Sequence, residues 1–124
     1  MLEDVDVTAY KGGATRLLRG GSILQAAAGI LAVEGYHAGA IRTILYSLGE
    51  FGGPRAISNL RDAADGPGDR DQPIRLAGQA NIVPTDANGL AFSRTPEQVL
   101  NIVYLGGAEA DFGFFPDRVN GVIR

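Results

Sequence analysis

The sequence predicts an all-α fold: a helical hairpin over residues 1–49, then a loop-rich extension over 50–124 that holds one short helix and packs on the hairpin within the same domain. Three observations lead there. The run Ile23 to Leu48 is apolar in steps of three and four, the period of a helix face. Upstream of it a shorter helical period ends at the breaker Arg19-Gly20-Gly21. Eighteen glycines in 124 residues, about twice the usual share, with six prolines, require that much of the remainder be turn and loop.

The elements follow in order. Leu2 to Leu18 carries a stripe at Glu3, Val7, Tyr10, Ala14 and Leu17, weakened by Gly12-Gly13. Ser22 with Gln25 three residues on predicts a capping box ahead of the long helix, which runs from Ile23 to about Leu48 and stops at Gly49, Gly52, Gly53 and Pro54. A short amphipathic piece, Pro54 to Ala64, comes next. Asp65 to Gly89 reads as loop, with turn chemistry in Pro-Thr-Asp-Ala-Asn-Gly, and its acids Asp62, Asp65, Asp69 and Asp71 read as solvated because they lack the Asp-x-Asp-x-Asp-Gly calcium pattern. Thr95, Pro96 and Gln98 open a last helix that ends at Gly106-Gly107. It and the cluster Phe112 to Phe115 are expected to cover the long helix, through Val99, Ile102 and Val103.

Composition excludes several functions. With 45% hydrophobic and 20% charged residues the chain is globular. The net charge of −3, one lysine and ten scattered arginines give no basic stripe for nucleic acid. Absence of cysteine removes disulfides, thiolate metal sites and a thiol nucleophile. No apolar stretch reaches the roughly 20 residues of a membrane span, and no basic-then-apolar leader opens the chain. There is no Gly-x-Ser-x-Gly, and the single histidine belongs to the long helix, which disfavours a serine hydrolase.

That histidine carries the chemistry. Counted as Ile23, Ala27, Ile30, Glu34, His37, Ile41, Leu45, Leu48, the inward stripe of the long helix includes both members of a Glu-x-x-His pair. A carboxylate facing a core is paired, protonated or bound to a metal, and inward Glu-x-x-His is how dimetal carboxylate bundles hold their ions. If the two helices fold back antiparallel, Glu3 lies about 22 Å from the bend, and Glu34 and His37 roughly 17 and 21 Å from it. All three are then at one level. The bland alternative is a hydrogen-bonded structural pair with no metal. Past His37 the long helix continues about 16 Å beyond any cover from the first. One hairpin with long loops is expected to be a marginal monomer that associates.

The segments LEDVDVTAYKGGA, AAAGILAVEGYHAGAIRTILYSLGE and NIVPTDANGLAFSRTPEQVLNIVY resemble the desiccation-related proteins of plants, within the ferritin-like group. The resemblance implies a four-helix bundle of which this chain is the second half, starting in the third helix, and an extracellular location. It maps Glu3 onto the single carboxylate of the third helix, and Glu34 with His37 onto the Glu-x-x-His of the fourth. It implies iron or manganese in a full or vestigial dimetal site. The expected partner is a second copy of the chain or the missing half-bundle, with no nucleic acid and no membrane span. A stress-related binding or protective protein is the expected function. The rivals are a di-iron oxidase or ferroxidase, and a truncated product without independent function.

Overall fold

Helix α1 (Glu3–Gly13) begins with Glu3, Asp4 and Asp6 in its first turn, where the helix dipole favours acids. A computed structural model describes residues 2–17 and 20–105 of the chain. The Phe112 to Phe115 cluster and the Gly106-Gly107 stop lie outside the described residues. At Gly13 the helix tightens into a 3-10 turn over Ala14–Arg16, so the single helix expected to Leu18 is shorter. Gly12 shows why. The backbone of Arg94 lies on it so closely that a Cβ at this position would fall inside the Arg94 carbonyl, and the Arg94 N–H donates to the Thr8 carbonyl at 3.0 Å.

Helix α2 (Gly21–Ser47) starts two residues earlier than expected. The predicted Ser22–Gln25 box does not form. Gly20 is the N-cap, no side chain caps the helix, and Ser22 sits inside it. Its C-terminus follows the sequence: Gly49 adopts φ +72°, its N–H donates to Tyr46, and the Glu50 N–H donates back to Leu45, the paired bonds of a Schellman end. Helix α3 (Gly52–Ala64) follows, with Pro54 in its first turn.

Within the segment read as loop, β1 (Arg75–Leu76) and β2 (Gln79–Ala80) pair antiparallel, Arg75 opposite Ala80. Ala77 and Gly78 both have positive φ, as a two-residue hairpin turn with the right strand twist requires. The Asp-Ala-Asn-Gly turn forms as its chemistry demands: Asp86 Oδ1 accepts from the N–H groups of Asn88 and Leu90, which holds its carboxyl below the usual range. Helix α4 (Pro96–Tyr104) has the full capping box of Thr95 and Gln98, Pro96 in first place, and ends on Leu105 in the left-handed conformation. It packs across α1 and α3, so the expected cover of α2 by Val99, Ile102 and Val103 is not what forms.

The stripe predicted to face inward on α2 is divided between two faces. Ala27, Glu34, Ile41 and Leu45 turn toward α1 and the loops, with Leu24, Leu31 and Ala38. Ile23, Ile30, His37 and Leu48 are exposed. A helix apolar over so wide an arc presents two adjacent faces, and one antiparallel neighbour covers one of them.

Where an aliphatic core would be, the domain centre is ionic. Arg42 of α2, 1% exposed, donates to Asp4 of α1 at 3.2 Å and to the carbonyls of Gln72 and Asn81. Burial draws this guanidinium below its ordinary pKa while Asp4 opposes the shift. Arg61 of α3 bridges Asp4 and Asp71. Arg94, also 1% exposed, bridges Asp71 and Asp65 and donates to the Thr8 hydroxyl at 2.9 Å. Asp62 accepts from the N–H groups of Arg70 and Asp71. The acids expected to be solvated are therefore two of one kind and two of another: Asp65 and Asp71 are buried ion-pair partners, Asp62 is half-buried, and Asp69 is exposed. Three arginines stand against Asp4, Asp65 and Asp71, so the charge cancels within the cluster.

Two predictions follow from these contacts. Arg94→Met should cost about 3–5 kcal/mol in urea unfolding, because it leaves two buried carboxylates without their shared cation. Gly12→Ala should destabilise by about 1–3 kcal/mol through overlap with the Arg94 backbone, whereas Gly13→Ala, which meets nothing within 4 Å, should stabilise by up to about 1 kcal/mol. Equal effects from the two glycine variants would contradict the close approach at Gly12.

Candidate metal centre

Two helices supply the candidate donors at one level of the hairpin. Glu3 opens α1, while Glu34 and His37 project from the middle of α2, three residues apart and so on one side of it. His37 Nδ1 lies 3.4 Å from Glu34 Oε2 and 3.5 Å from Glu3 Oε2. One donor atom from each of the three falls within 4.8 Å of the other two. The rise along two antiparallel helices anticipates this convergence; the stripe anticipates the burial less well, since the His37 side chain is 57% exposed and that of Glu34 20%.

What holds Glu3 at this level is its neighbour. Asp4 is gripped by Arg42, five residues beyond His37 on α2, and by Arg61 of α3. The first turn of α1 is thereby pinned to α2 beside the cluster. No sequence signal of the Glu-x-x-His kind marks Asp4 or Arg42 as positioning residues. The available hint is that Arg42 and Glu34 are the two formal charges in all of α2, which makes a solvent-facing role for Arg42 unattractive.

The electrostatics are those of two carboxyls crowded together. A hydrogen bond to Glu34 raises the Glu3 pKa, desolvation and the Glu34 charge add to the rise, and His37 opposes it. Crowding of this kind keeps a proton on Glu3 to higher pH than an isolated carboxyl would, and a bound cation would relieve it. The imidazole nitrogen lies 3.4–3.5 Å from an oxygen of each carboxylate, close enough that these side chains would hold a small divalent ion, whose bonds to such atoms are about 2.1 Å, after small adjustments.

Between α1, α2 and the loops a cleft of about 160 Å³ is lined by Val7, Gly35, Ala38, Ile82 and Phe92, together with Asp4, Arg42 and Asp71. Those charges are committed to one another, so the cleft offers chiefly apolar wall.

The comparisons with known proteins bear on the hairpin. No curated protein and no solved structure matches the chain. Residues 1–47 match the family model described as a ferritin-like domain, and that match ends at Ser47, the last residue of α2. The helical hairpin is thus ferritin-like, followed by a loop-rich C-terminal region.

Proposed function

We propose that this chain is a ferritin-like binding or protective protein whose Glu3, Glu34 and His37 hold iron or manganese. The observation that carries the reading is the meeting of the three donors from two separate helices within 4.8 Å. Carboxylate oxygen with imidazole nitrogen is a donor set suited to these metals, and two carboxylates match the charge of a divalent ion. One hairpin contributes half the ligands of a dimetal bundle site, which takes two single glutamates and two Glu-x-x-His pairs. The role in drying stress is supported by the likeness of Asn81 to Pro96, which reads NIVPTDANGLAFSRTP, to the desiccation-related proteins. When bound, iron supplies one-electron redox chemistry and either metal supplies Lewis acidity. The residues themselves bind the ion, and Glu3, whose pKa is raised, gives up its proton as they do so.

Calorimetric titration with manganese is the direct test. Glu34→Gln and His37→Ala should each weaken binding by roughly a hundredfold, while Glu50→Gln, at an exposed acid away from the cluster, should leave it unchanged. Affinity undiminished in Glu34→Gln would sink the reading.

The pH dependence has a definite sign. Glu3 holds its proton more tightly folded than unfolded, so in the metal-free protein its contribution to stability is present below its ordinary value near 4.5 and is lost as pH rises through the raised one. Manganese must displace that proton. Uptake should therefore release protons, and affinity should climb with pH from about 4.5 upward, as titration in buffers of different ionisation enthalpy would show.

A further inference from the structure

Helix α2 carries two coiled-coil seams side by side, and among the described residues only one is filled. The filled seam includes Leu24, Ala27, Leu31, Ala38 and Leu45 and lies toward α1. One residue back along the chain a second strict heptad has Ile23, Ile30, His37 and Ile44 at one core position and Ala26, Val33, Ala40 and Ser47 at the other. Every one of these eight is exposed. The helix face that meets solvent has no formal charge: in 27 residues the charges are Glu34, turned toward Glu3, and Arg42, buried. A solvent-facing helix surface ordinarily carries charged residues.

We infer that the second seam binds α2 of a second copy of this chain, antiparallel, about a two-fold axis at the level of Gly35. The pattern is self-complementary about that level. Reversed on itself, the seam sets Ile23 against Ser47, Ile44 against Ala26, Ile30 against Ala40, and His37 against Val33. Each large aliphatic chain meets a small one, the alternation that lets two helices approach and interdigitate. A parallel pair would instead stack isoleucine on isoleucine and place the two imidazoles together. Because residue 35 is one step from the centre of the helix, the antiparallel register also overlaps the helices over nearly their whole length, about 40 Å.

The area is adequate. Ile23, Ile30, Val33, Ile44 and Leu48 together leave roughly 500 Å² exposed per copy, and with His37, Tyr36 and the small residues between them the strip approaches the roughly 800 Å² per partner of a stable interface. Its aliphatic part alone lies in the upper half of the roughly 300–600 Å² that the largest patch of a monomer ordinarily covers, a size that is often functional. The same axis brings the two Glu34 carboxylates together, each flanked by a His37 and a Glu3. This last consequence rests on the metal reading above; the pairing of seams does not.

The test separates the two. Sedimentation equilibrium in chelator should show a dimer, and Ile30→Glu should weaken it by roughly a hundredfold without loss of helicity, since Ile30 is already 40% exposed in the single chain. The chain has no cysteine, so paired cysteines report the register. Ala26→Cys with Ile44→Cys in one chain should form a disulfide-linked dimer. Ala26→Cys alone should not, because the two copies of that position lie about 27 Å apart in the antiparallel pair. A chelator-stable dimer that binds no manganese upholds the seam and sinks the metal reading. Manganese bound by a strict monomer overturns the seam and leaves the metal reading standing. Cross-linking by Ala26→Cys alone also overturns it, as does a monomer whose seam accepts a supplied two-helix half-bundle and no second copy.

Discussion

The buried lattice of Asp4, Arg42, Arg61, Asp71, Arg94 and Asp65 is the constraint on which the rest of this structure depends. It ties together the first turn of α1, the far third of α2, the inner face of α3, the loop after it and the segment entering α4. An ion-pair lattice of this kind adds little net stability over a well-packed apolar core, because desolvation offsets most of the attraction. What it supplies is position. Guanidinium forks accept few geometries, and a slip of α1 by one turn would strand Asp4 from both its arginines. Glu3, next in the chain to Asp4, is held at the level of His37 by that requirement.

The same lattice explains which readings of the sequence succeeded. Local rules with stereochemical content worked: the Thr95–Gln98 capping box, Pro96 at the helix start, the Gly49 terminus and the Asp86 turn each involve bonds among residues at most five apart. The convergence of Glu3 with Glu34 and His37 was also legible, since it needs only a bend and a helical rise. Burial of Asp65, Asp71 and Arg94 was not. Arg94 reaches Asp71, Asp65 and Thr8 across 23, 29 and 86 residues, and an acid in a glycine- and proline-rich loop looks the same whether water or a distant guanidinium satisfies it. The requirement for Gly12 was not legible for a related reason: its weakness as a helix former was plain, while the Arg94 backbone that requires it comes from the other end of the described chain.

The inward face of α2 was misassigned because two seams look like one broad stripe. Ile23 and Leu24, or Ile30 and Leu31, are both apolar, and the period alone does not say which member of each pair meets the neighbouring helix. Glu34 and His37 lie on either side of that division. Glu34 leans toward α1, while His37 belongs to the open seam and reaches back across to both carboxylates. On the proposed metal reading, a ligand set straddling two seams is complete only when both are filled, which links the exposure of His37 to that of the isoleucines around it.

Polarity is therefore distributed in an unusual way over this domain. Charges occupy the interior, where they are matched, and aliphatic side chains line the outer face of the longest helix and of α3, where Ile57 and Leu60 are exposed. A matched ionic interior leaves less apolar surface buried within one copy, and the apolar side chains still exposed on α2 and α3 are available to association. On the proposed pairing of seams, folding and assembly are coupled. The lattice fixes the angle at which α2 presents its seam, and any partner that covers the seam buries the same His37 that the lattice, through Asp4 and Glu3, has aligned with Glu34.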